Sequence, residues 1–464
     1  MSSYEQRLVQ HVSETQFAQL DAAAVEACKT FVLDSIGVGI SGSRIDNAAH
    51  LLDTATGWGS ADRDRSAIVW GSSVRLPAMH AAMVNAYQIH CQEFDCVHEQ
   101  AVVHPMAVIL SALLAEAEVL RVDGRALLLS LALAVDVATV LGMSADRPMR
   151  FFRPGTAGCI GAAAGLARLR GYDQQKIQQA MSIAYSQTGG TMQAHTEGVA
   201  VLPMQVAFNA RNAITAVDMA DFGLEGPDQF LSGDYGYFSI MESDGHAEAA
   251  FALLGREWQI SRVSHKPFPT GRAAHGTLDA LMQLLAEHEF TAQDIDSVCI
   301  EAPPLVRRLV DRPVQPGMSV NYARLCIGYV AATLLMTGNV GVGAFDRAAL
   351  KDPERLALAA RIHMVPSASD DPNALAPQTV TVRLKSGSEF QRTLTSILGH
   401  PGNPLSRKRQ QDKFVDCLAS ARSSVGVERA NEIIAMVARL DQLPCITRFT
   451  QLLMPERQPL VVTH

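Results

Sequence analysis

Apolar residues recur at spacings of three and four from Thr15 to about Leu254, as in DAAAVEACKTFVLDSIGVGI, HPMAVILSALLAEAEVL and GRALLLSLALAVDVATVLGM. That period lays one face of an α-helix against a core. The breaks are short and fall at Gly, Pro or Ser/Asp, as in GSSVRLP, SADRP, EGPDQ and SGDYG, so the pattern predicts helices joined compactly into a bundle. The texture changes after Trp258. Residues 296–302 (DSVCIEA), 361–365 (RIHMV), 378–384 (QTVTVRL) and 389–396 (EFQRTLTS) are short, β-branched and partly alternating, which predicts a small sheet with a hairpin turn at residues 385–388. Helical text interrupts it at 272–288 and 320–337, and helical periodicity resumes after HPGNPLS in KFVDCLASA and RANEIIAMVARL. The predicted fold is mainly α: a large helical-bundle domain formed by both chain ends (1–262 and 399–464), with a smaller α+β domain (263–398) inserted.

The 464 residues are 48% hydrophobic, enough to bury a proper core and enclose a pocket. A formal net charge of -8 leaves no broad basic face for nucleic acid. It also makes isolated Lys and Arg in apolar, Gly-rich text informative, because an anion would have to be met by local cations. The eight cysteines are scattered with no CxxC pair and read as reduced core thiols. The N-terminal MSSYEQRLVQHVSETQF lacks the apolar stretch of a signal peptide. The longest apolar run, Ala126 to Met143, holds Asp136 and keeps helical periodicity, so it is expected to be a core helix and not a membrane span. Together these features predict a cytoplasmic protein.

Candidate chemistry concentrates between Asn85 and Pro105, NAYQIHCQEFDCVHEQAVVHP, which holds His90, Glu93, Asp95, His98, Glu99 and His104. Carboxylates beside imidazoles offer a base and an acid whose pKa values can be pushed apart, the requirement for removing a proton and expelling a leaving group in one site. Two other readings fit the same residues. They could cap and solvate a helix end, or His98, His104 and the carboxylates could bind a metal, although the spacing matches no closed metal motif.

This segment resembles the signature of the MmgE/PrpD family, which includes 2-methylcitrate dehydratases, cis-aconitate decarboxylases and iminodisuccinate epimerases. His90, Glu93, Phe94, Asp95, His98, His104 and Pro105 fall in register with the family's H-x-x-D-F-D-D-T-H-x-x-x-x-x-H-P. Other stretches resemble family landmarks in order: IVWGSSVRLPAMHAA (68–82), GTAGCIGAAAGLARLRGYD (155–173), KPFPTGRAAH (266–275) and GHPGNPLSRKRQQDKF (399–414). The Gly158, Gly161, Gly165 spacing follows no strand, so it reads as close helix packing and not as a dinucleotide loop. The resemblance implies a homodimer with a pocket between the helical domain and the inserted α+β lid.

It also implies a site. His104 or Asp95 would act as base, and Glu93 or His98 as acid. Lys266 and Arg272 flank a turn opening a helix, a natural place to hold a substrate carboxylate, with an interdomain salt bridge as the plainer role for Arg272. Arg153, His275 and Tyr329 join the expected substrate contacts, Tyr329 having a core tyrosine as its plainer reading. Important positions depart from the family pattern: Cys96 for Asp, Val97 for Thr, Phe151-Phe152-Arg153 where a histidine is usual, Pro203-Met-Gln205 where a lysine is usual, and Gly271 where decarboxylases carry a catalytic histidine.

The first expectation is therefore a lyase, dehydratase or decarboxylase, that removes a proton α to a carboxylate of a small citrate- or aconitate-like polycarboxylate and needs no metal or organic cofactor. An epimerase or isomerase of a dicarboxylate needs only a base and an acid on opposite faces of one carbon, and the departures favour it somewhat. A non-catalytic polycarboxylate-binding protein and a metalloenzyme are the remaining alternatives.

Overall fold

The computed structural model describes residues 2–455 except 370, 372 and 424. The chain is mainly helical. Its first hydrophobic core runs from Leu8 to Val263 and takes in Phe414 to Leu453, so residues near both ends of the chain feed one core. Gly37 of the helix Ala22–Gly42 lies against Phe414 of the returning helix Arg407–Ala419, where an added Cβ would sit 2.7 Å from the ring.

The apolar run forms the helix Gly124–Met143, long and apolar enough to cross a membrane by composition but 94% buried inside this core. Its one acid is matched: Asp136 accepts from Gln259 N at 2.9 Å and pairs with His11 Nε2 at 3.0 Å. The glycines of GTAGCIGAAAG lie in the helix Arg153–Leu169, packed against it. A Cβ on Gly161 would meet the Ala134 carbonyl oxygen at 2.5 Å, and one on Gly165 the Ser130 oxygen at 2.7 Å. Only glycine lets the two helices approach that closely.

The second core draws on residues between Phe268 and Ile397. It lies between the helix His275–Glu287 and a four-stranded sheet ordered Ile362–Pro366, Ile295–Ala302, Gln378–Leu384, Glu389–Leu394. The sheet is mixed, with Ile295–Ala302 parallel to Ile362–Pro366 and the other pairs antiparallel. The strands fall where the alternation predicts them. Some elements differ from the sequence expectation. The text at 320–337 is two helices, Val320–Arg324 and Ile327–Thr337, broken at Leu325 and Cys326. The helices Pro304–Val310 and Pro353–Ala359 are too short to show a period. Two small antiparallel pairs, Ser66–Ile68 with Arg75–Pro77 and Val97–His98 with Val263–Ser264, are also too short for alternation to reveal.

Candidate active site

Val97 pairs with Ser264 and His98 with Val263. This two-residue ladder joins the His/Asp/Glu segment of the bundle to the stretch that carries Lys266 and Arg272, and so brings together chain regions more than 160 residues apart in sequence. Upstream, the helix Ala78–His90 ends on His90, and the chain turns through Glu93, whose φ of 52° lies in the left-handed region. Downstream, the hairpin turns at Val102, also at φ 52°, and His104 stands immediately before Pro105, the first residue of the helix Pro105–Leu120. Such a φ is unfavourable for a β-branched or long side chain, and strain of this kind persists where the surroundings fix it. Both residues line the same cavity. The turn is pinned from behind by Lys413 of the returning C-terminal helix, which donates to the Phe94 carbonyl at 3.0 Å and pairs with Asp34 at 2.7 Å.

Asp95 is the centre of the site. Its Oδ2 lies 2.9 Å from His90 Nδ1 and 3.2 Å from His104 Nδ1, and its Oδ1 is 3.8 Å from Lys266 Nζ. Burial opposes ionisation of Asp95, but His90, His104 and Lys266 outweigh it and hold the carboxyl well below its ordinary range. An ionised carboxylate only accepts hydrogen bonds. Both imidazoles therefore present Nδ1–H to Asp95 and keep their Nε2 atoms for other work. His90 Nε2 is buried with no hydrogen-bond partner.

The two imidazoles are pushed apart. Burial lowers both, but at His90 the attraction of Asp95 and Glu93 prevails and the pKa is raised. At His104 burial, helped by Lys266 and His90, prevails over Asp95 and the pKa is lowered. Glu93 is also held ionised: burial raises its pKa, yet Lys266, His90 and His104 bring it down to about 2. Lys266, wholly buried, donates to Glu93 Oε2 at 3.0 Å and to the Glu93 carbonyl at 3.1 Å. Asp95 thus stands where it orients both imidazoles, and Glu93 is held as a carboxylate by Lys266.

Other expected site residues lie elsewhere. His98 Nε2 meets Gln259 Oε1 at 3.1 Å and its Nδ1 accepts from Ala101 N at 3.1 Å. Burial pushes it down to about 4, and it braces the hairpin from outside the cavity. Arg272 lines the cavity, but its guanidinium is taken up by Glu99 Oε1 at 2.9 and 2.7 Å and by the carbonyls of His265, Leu398 and Ile397. Arg272 is thus committed to Glu99 and the backbone. Arg153 is paired with Glu242 at 2.7 and 3.1 Å and buried outside the cavity. Tyr329 donates to the Ala344 carbonyl at 2.6 Å within the second core. His275 contacts the Thr270 carbonyl at 3.2 Å and packs on Phe268. None of the last three lines the cavity. Cys96 is buried in the first core with its thiol pushed well up by burial.

The cavity, of about 60 Å³ and partly open, lies between the two cores. His195 lines it without any signal in the sequence, because QAHTEG carries no period and no recognised spacing. Arg312 donates to the His195 carbonyl and to Nδ1 at 3.2 Å, which leaves the proton of a neutral ring on Nε2. Where the family pattern has polar groups, Phe152 and Gly271 line the wall, while Gln205 is bonded to the Thr191 backbone at 2.7 and 3.2 Å, outside the lining. His90, Asp95 and His104 also offer ligand atoms within 4.8 Å of one another, close enough for a metal ion to bridge.

The family model for the MmgE/PrpD N-terminal domain matches residues 6–250, and that for the MmgE/PrpD C-terminal domain matches residues 268–442. The chain is 27% identical over 448 residues to a cis-aconitate decarboxylase of Mus musculus, covering 92% of this chain and 89% of the relative. It is 25% identical over 459 residues to a cis-aconitate decarboxylase-like protein of Aspergillus oryzae (93% and 94% covered), and 25% identical over 469 residues to a cis-aconitate decarboxylase of Aspergillus terreus (94% and 93% covered).

Proposed function

The chain belongs to the MmgE/PrpD family, and we propose that it is a lyase acting on a small carboxylic acid related to aconitate, with His104 and His90 as its proton-transfer pair. The observation that carries this reading is the pair itself: two imidazoles oriented by one carboxylate, facing one cavity, with pKa values displaced in opposite directions. Such a displaced pair marks which group is acid and which is base. His104, kept neutral, has an Nε2 lone pair to take a proton. His90, kept protonated, has an Nε2–H to give one.

In a dehydration, His104 takes the proton α to a carboxylate and the C–O bond at the β carbon breaks. His90 passes its proton to the departing hydroxyl, which leaves as water. In a decarboxylation, the C–C bond to the leaving carboxylate breaks and carbon dioxide departs. The electron pair delocalises towards the neighbouring carboxylate, and His90 protonates the carbon. The relatives' names favour the second course. Glu93 and Lys266 hold the floor of the site, and His98, Arg153, His275 and Tyr329 support the scaffold. The same pair, reaching opposite faces of one carbon, would serve an epimerase.

A panel of unsaturated and hydroxylated di- and tricarboxylic acids incubated in deuterated water and followed by proton NMR tests the reading. The expected result is loss of carbon dioxide or water with one deuterium incorporated, and a fall of roughly a hundredfold or more in His104→Gln and His90→Gln. Deuterium exchange with inversion and no other product would make the protein an epimerase. Thermal stabilisation by these acids with no exchange or turnover would make it a binding protein.

A further inference from the structure

Resting on the dehydration course of that reading, we propose that the substrate is a hydroxy acid with no more than two carboxylates and an apolar arm in place of the third, an alkyl- or aryl-substituted malate and not a tricarboxylate. The cavity is lined by the apolar side chains of Met149, Phe152, Met192, Leu309, Leu325 and Leu375 beside the imidazole pair.

The charges point the same way. A tricarboxylate entering this site needs cations not already paired with protein carboxylates, because an unpaired buried charge is strongly unfavourable. Arg272 is the one Lys or Arg among the described residues lining the cavity, and it is bound to Glu99 and three backbone carbonyls. Lys266 is bound to Glu93. Glu93 and Glu99 themselves line the cavity, so no Lys or Arg of the described lining is without a carboxylate partner, and Arg312, which has none among the described residues, stands behind His195. One further anchor remains. His195, with Arg312 behind it, offers Nε2–H to a single carboxylate. Gly271 completes the apolar wall, since a Cβ there would meet Leu325 Cδ2 at 2.7 Å.

The test compares cis-aconitate with 2-propylmaleate and 2-benzylmaleate, in which the carboxymethyl arm is replaced by an apolar one, together with the corresponding hydroxy acids citrate and 2-propylmalate. Kd by calorimetry and kcat/KM by NMR are measured on the full-length protein, on Met192→Lys and on Leu309→Lys. Expected is a preference of tenfold or more for the apolar-armed acids in both constants, reduced or reversed by either lysine. Tricarboxylates bound equally or better, or no acid bound at all, would overturn the inference. Apolar-armed acids that bind preferentially yet show no exchange or turnover would uphold the substrate class while removing the lyase reading.

Discussion

The rings of His90 and His104 meet edge to face with centroids 5.0 Å apart, each presenting Nδ1 to the same oxygen of Asp95. One carboxylate thus fixes the tautomer of two imidazoles. Their unequal surroundings, Glu93 on the side of His90 and the opposing charge of Lys266 at His104, then separate an acid from a base.

Asp95→Asn removes the anion that raises His90 and the acceptor that orients both rings. Turnover is expected to fall by roughly 10²–10⁴, the range for losing an oriented acid–base group. In wild type the alkaline limb of the kcat/KM profile reports loss of the His90 proton and lies above the ordinary histidine value. In the variant it moves to lower pH. A variant with wild-type turnover and an unmoved limb would show that Asp95 does not set the pair.

Glu93→Gln leaves the Lys266 ammonium buried without its carboxylate. Breaking a buried pair by removing one partner costs about 3–5 kcal/mol, whereas replacing both with apolar groups of similar size is close to neutral. Denaturant unfolding is expected to show that loss for Glu93→Gln and recovery of most of it in Glu93→Gln combined with Lys266→Met. Because Glu93 is held at about 2, below the ordinary carboxylate value, its stabilisation is present above the ordinary value and is lost as pH falls towards 2.

Stability should also fall before the carboxylates titrate. Burial brings His98, His195 and His265 each down to about 4. Between that value and the ordinary 6.5 the unfolded chain binds three protons that the folded chain refuses, so stability rises with pH across this window. Each histidine contributes about 1.4 kcal/mol per pH unit, or roughly 4 kcal/mol for the three together. Urea midpoints measured at pH 7 and pH 5 check this, and equal midpoints would contradict it.

The mainly helical fold and the sheet were legible from periodicity and the 93–104 segment from its density of ionisable groups, whereas its meeting with Lys266 was expected from the family resemblance. What the sequence did not disclose is which partner each polar group finds. Arg272 reads as a carboxylate clamp until Glu99 and three carbonyls are seen to occupy it. Tyr329 reads as a pocket residue although it bonds Ala344 in the second core. Asp95 reads as a base, and only the two Nδ1 contacts show it placed to orient both imidazoles. His195 reaches the cavity through a turn with no periodic signal. Each of these depends on contacts between residues far apart in the chain.

The separation of the two imidazoles can be measured without knowing the substrate. Histidine labelled at Cε1 and followed by NMR through a pH titration, with His90→Gln and His104→Gln to assign the signals, reads each ring directly. The expected result is His90 titrating above 6.5 and His104 below it, with the His90 midpoint falling in Asp95→Asn. Coincident midpoints near 6.5, or the reverse order, would contradict the assignment of His90 as acid and His104 as base.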